Sequence, residues 1–145
     1  MRRTAPGVSL VLVILASVLL FAQSTPFTVL SYGPTGEINQ LQDANEVRVI
    51  FSEPMVALGR IPLNPTPPWI HISPAIRGTY RWSGTTILIF TPDPNAAIPY
   101  ATEYSVTIDA AATSVSGRQL AAPVRFSFTT PTVKISTRLL TKLRS

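Results

Sequence analysis

Three stretches of this sequence alternate apolar and polar side chains with a period of two, which commits them to extended structure. In Glu46 to Phe51, Val47, Val49 and Phe51 fall on one face and Arg48 on the other. In Glu103 to Asp109, Tyr104, Val106 and Ile108 oppose Ser105, Thr107 and Asp109. In Val124 to Thr129, Val124, Phe126 and Phe128 oppose Arg125, Ser127 and Thr129. Successive side chains on a strand point to opposite faces, so each stretch predicts a strand with one buried and one wetted side. Phe27 to Tyr32, Trp69 to Ser73 and Thr86 to Thr91 are β-rich without clean alternation, and Thr79 to Trp82 makes a short seventh segment.

Turn chemistry separates these segments. Gly33-Pro34-Thr35-Gly36 closes the first, and Ser116-Gly117 precedes the last. Ser83-Gly84 stands between two β-rich runs as a hairpin turn, with Gly84 supplying a positive φ. The 14 prolines are spread without a repeat and interrupt any helical period. A small helix is expected in Ala96 to Thr102 or near Ala110 to Thr113, and nowhere is a long one. Seven short strands with turns between them predict an all-β fold, an antiparallel sandwich in which each sheet buries one face against the other. Asn64-Pro65-Thr66-Pro67-Pro68 reads as a stiff connection between sheets, in preference to a polyproline ligand for an aromatic groove.

The first residues belong to a different category. Val8 to Ala22 carries no charge, follows Arg2 and Arg3, and leads through Ala22 and Ser24 to a small-residue exit before Thr25. This is the pattern of a secretory signal peptide over residues 1–24, or of an uncleaved N-terminal anchor helix. Either reading places residues 25–131, a single domain, outside the cytoplasmic membrane: periplasmic, extracellular or at the cell surface. Residues 132–145 form a basic tail, with Lys134, Arg138, Lys142 and Arg144, and with Leu139, Leu140 and Leu143 at helical spacing. That tail reads as the truncated start of a following domain, or else as a membrane-surface helix.

Composition excludes several functions. The formal charge of +5 is a property of the two ends. Between Thr25 and Thr130, six arginines face seven acids, so the domain has no footprint for nucleic acid. Without cysteine there is no disulfide, no thiol nucleophile and no cysteine-ligated zinc, and the fold must stand on packing alone.

Several separated motifs then resemble one family. Phe51-Ser52-Glu53-Pro54-Met55 is followed by Ile72-Ser73-Pro74, Gly78-Thr79-Tyr80-Arg81-Trp82 and Thr86-Ile87-Leu88-Ile89-Phe90-Thr91-Pro92. Tyr100-Ala101-Thr102-Glu103-Tyr104-Ser105-Val106, Ser116-Gly117 and Phe126-Ser127-Phe128-Thr129-Thr130-Pro131 complete the order. Over about Phe27 to Pro131 the set resembles bacterial Ig-like domains of S-layer and other surface proteins. More narrowly it resembles the N-terminal Ig-like module of bacterial alpha-2-macroglobulins. The resemblance implies an Ig-like β-sandwich serving as a structural or interaction module, the N-terminal piece of a protease-trapping protein separated from its machinery. The partners it implies are another protein or the adjacent domains of a larger chain. A free-standing surface or adhesion domain, binding protein or glycan through loop residues such as Pro65 to Trp69, is the alternative.

The residues of these motifs also have structural roles of their own. Trp82, Leu88, Phe90, Tyr104, Phe126 and Phe128 are expected to fill the core, and Met55 to plug one end of it. Pro54 stops its strand by withholding a donor, and Glu53 caps a turn or accepts a hydrogen bond from a neighbouring loop.

No catalytic, cofactor-binding or metal-ligating residue is assigned. His71 is the only histidine, expected on the same strand face as Trp69, and has no second histidine to complete a metal set. Glu53 and Glu103 would have to meet across a cleft to work as a glycosidase-like pair. Asp93-Pro94-Asn95 offers oxygen ligands for calcium, but a proline-containing turn accounts for them. The chain is therefore read as not an enzyme, with no cofactor and no small-molecule substrate.

Overall fold

A computed structural model describes residues 25–132. The leader or anchor helix and almost all of the basic tail lie outside the described residues. Eight strands run β1 Val29–Gly33, β2 Gly36–Glu37, β3 Val47–Phe51, β4 Ile70–Ser73, β5 Gly78–Ser83, β6 Ile87–Pro92, β7 Glu103–Ile108 and β8 Val124–Thr129. They form two four-stranded sheets, ordered β1-β3-β6-β5 and β2-β8-β7-β4.

The alternating stretches behave as their period demands. Val47, Val49 and Phe51 are buried while Arg48 is exposed, and Tyr104, Val106 and Ile108 are buried beside an exposed Ser105. Phe126 and Phe128 are buried on β8 and Val124 is half-buried. These rows from facing sheets meet in one core with Leu88, Phe90 and Ile70. Aromatic contacts tie the layers together: Tyr32 of β1 stacks on Phe126 of β8 with ring centroids 4.5 Å apart. Phe51, 1% exposed, packs on Phe27 at 5.9 Å, on Trp69 edge-on at 5.7 Å and on Trp82 at 6.3 Å. Burial of such side chains contributes about 1.5–3 kcal/mol each, which is what a cysteine-free domain has to rely on.

Several expectations need correction. The sheets are not wholly antiparallel. Gly36, the last residue of the segment read as a turn, and the following Glu37 pair in parallel with Phe128 and Thr129 of β8. Ile38 extends that contact by donating its N–H to the Thr129 carbonyl at 3.0 Å. Neither proposed helix exists: the one helical element among the described residues is a 3-10 turn at Leu41–Ala44. Near 96–102 and 110–113 the chain only bends, with isolated turn bonds from Ala96 N–H to Asp93 and from Ala112 N–H to Asp109. Trp82 is half-buried at the core's edge while the other five residues expected there are buried.

The chain enters and leaves at opposite poles. At the proximal pole β1 begins, β3 and β7 end, and the β5–β6 hairpin turns at Gly84, whose φ is +70°. At the distal pole β7 begins opposite the end of β8, and Ala101 N–H reaches the Pro131 carbonyl at 3.0 Å.

Candidate interaction surface

The proximal pole carries the most connected polar cluster of the described residues. Pro54 follows the end of β3 by three residues, and its carbonyl accepts from Val115 N–H at 2.8 Å, which brings the loop after β7 against the end of β3. That loop turns at Gly117, with φ +83°, as the Ser116-Gly117 pair predicts. Ser116 Oγ donates to Glu53 Oε2 at 2.7 Å, and Ser114 Oγ, on a buried residue, lies 2.8 Å from Ser116 Oγ. Arg118 then bridges two partners: Nη2 sits 2.8 Å from Glu53 Oε1, and Nη1 donates to the Thr25 carbonyl at 2.7 Å. Glu53 thus accepts from a neighbouring loop, as its sequence position predicted. Its carboxyl is held below the usual glutamate range chiefly by the Ser116 hydroxyl, with Ser114 and Arg118 adding to it against an opposing effect of burial.

Glu53 and Glu103 do not meet. Glu53 belongs to the pole where β7 ends, and Glu103 opens β7 at the other. Six residues of strand, roughly 17–20 Å, separate those levels, beyond the reach of a carboxylate pair. His71 points outward from edge strand β4, its Nε2 2.9 Å from Asp109 Oδ2, while Ile70 and Ile72 turn towards the core. It does not share a face with Trp69: that residue precedes the strand, escapes its alternation and lies against Phe51. Asp93 Oδ1 accepts from the backbone and side-chain amides of Asn95 at 2.9 and 3.2 Å, a closed turn. Among the described residues no three His, Cys, Asp or Glu side chains gather as metal ligands.

Two further features were not anticipated. Glu46 accepts from Arg81 of β5 at 2.8 Å and from Arg48 of β3 at 3.1 Å on the outer face of one sheet. The Arg81 hydrogen bond is the main reason its carboxyl is held low. Both arginines flank Ile89 in register, but no sequence spacing announces a pair 35 residues apart. The connection from β3 to β4 also leaves large apolar groups in water, with Leu58 87%, Leu63 90% and Ile61 38% exposed. Its Asn64–Pro67 segment faces Gly78, Thr79 and Tyr80 at the start of edge strand β5 across a hollow of about 240 Å³, and its two prolines have no N–H to add to that edge. The segment lies, as expected, in a connection from one sheet to the other. An open hollow of about 570 Å³ near the end of β6 holds Arg77 and Asp93 as its charged groups, with no second carboxylate.

The chain matches the family model of the bacterial Ig-like domain over residues 23–130, and it belongs to that family. The family is typically non-catalytic, occurs in exported or surface proteins, and commonly mediates protein interactions or sits within larger chains. No curated protein and no solved structure matches the chain.

Proposed function

We propose that this chain is an exported, non-catalytic Ig-like module, the N-terminal sandwich of an alpha-2-macroglobulin-like protease inhibitor, held apart from the trapping machinery. Residues 1–24 act as its leader or anchor, and residues 132–145 begin the next unit. The observation that carries this reading is the placement of Thr25 and Pro131 at opposite poles. Such a body transmits the chain from one neighbour to the next, and its ion pairs, Glu46 with Arg48 and Arg81, His71 with Asp109 and Glu53 with Arg118, are surface contacts. An antibody raised against residues 25–132 should stain an envelope protein far larger than 15.7 kDa in cells that make it. The purified chain, mixed with endopeptidases, should form no trapped complex. A lone small envelope band, or a stable complex with a protease, refutes the assignment.

The exposed Leu58, Ile61 and Leu63 favour a second reading, a free-standing surface module binding a protein through its β3–β4 connection. Trp69 and Trp82 lend it no aromatic platform, since both pack against Phe51.

A further inference from the structure

We propose that the proximal pole is a membrane-facing surface that rests on the bilayer while residues 8–22 are embedded in it. This rests on reading those residues as a retained anchor. The argument begins with the absence of slack. Phe27 is buried at 2% exposure, Thr28 exchanges hydrogen bonds with Ser52 at 2.9 Å in both directions, and Arg118 grips the Thr25 carbonyl. The folded body therefore starts at Thr25. Only Gln23 and Ser24 separate it from Ala22, a reach of at most about 11 Å. The headgroup layer on each side of a bilayer is itself about 5–8 Å deep. An embedded apolar segment thus holds this pole against the surface and leaves no room to stand off.

What the pole presents there suits the interface. Val115, 55% exposed, tips the loop whose neighbours Ser114 and Ser116 join the Glu53 cluster. Leu58 sits in the Ala57–Arg60 turn that follows Met55, whose N–H is fixed to Thr85 in the β5–β6 hairpin at 2.7 Å. Charge at this pole is balanced in pairs. Arg118 lies at this pole in an ion pair with Glu53, whereas Glu37 and Glu103 sit beside Thr129 at the other. Apolar tips beside charged groups that are already paired, Arg118 with Glu53 and His71 with Asp109, match a headgroup interface over hydrocarbon.

The chain has no cysteine, so single labelling sites are unambiguous. Full-length chains carrying Val115→Cys, Leu58→Cys or Glu103→Cys, each bearing an environment-sensitive fluorophore, are reconstituted into phosphatidylethanolamine–phosphatidylglycerol vesicles. The labels at 115 and 58 should shift to the blue and be quenched by headgroup-region spin-labelled lipid several-fold more than the label at 103. Equal quenching at both poles in protein that floats with the vesicles overturns this orientation and leaves the anchor reading standing. Protein that does not float with them removes the anchor reading and the orientation together.

Discussion

Thr130 shows how much one hydroxyl can organise. It is 1% exposed, donates to the Pro99 carbonyl at 2.7 Å and accepts from Thr102 N–H at 2.9 Å, tying the last strand to the loop before β7. Thr130→Val keeps the shape but strands a donor and an acceptor, so it should cost about 1–3 kcal/mol in urea unfolding. Thr130→Ser, which keeps the hydroxyl, should recover most of that loss. Glu53 supplies a pH signature. Its folded pKa lies below the unfolded one, so its stabilising contribution is complete above the ordinary glutamate range. The contribution then disappears as pH falls through the depressed folded value. Thermal melts should show Glu53→Gln less stable than the parent at neutral pH, with the gap closing towards about pH 3. A gap independent of pH would mean that the charge on Glu53 contributes nothing.

Among the strands, β5 and β6 carry the tightest constraint. Gly78 faces Pro92 across the pair, and a Cβ there would run into the Thr91 carbonyl and the Phe90 ring. Gly78→Ala should therefore destabilise by about 1–3 kcal/mol, read as a lower unfolding midpoint. The strands that could be read from the sequence were those caught between the other sheet and solvent, because only a half-buried strand must alternate. β3, β7 and β8 meet that condition, and their inward rows are the ones the sequence displays. β2 could not be found that way: two exposed residues, one of them a glycine of positive φ, leave no period, and their pairing is decided by β8. Trp69 misled for a related reason, since an alternation argument fails one residue outside its strand. Glu53 was legible as an acceptor, but its partners were not. Ser116 and Arg118 lie more than sixty residues along the chain and arrive through a loop whose path no local pattern records.

For the molecule as a whole, one continuous core joins both sheets, and the loops carry the variety. The β3–β4 connection, with its exposed leucines and its prolines beside β5, is the freest surface for a partner, whereas the ion pairs are exposed and contribute little each. Having the ends at opposite poles has a mechanical consequence. A pull on Thr25 draws β1 lengthwise past β3, and a pull on Pro131 draws β8 lengthwise past β7, because both pairs are antiparallel and run along the line of force. Their hydrogen bonds lie across that line and are loaded together in shear, so none can be peeled open alone. A sandwich loaded at these two points is thereby built to bear tension.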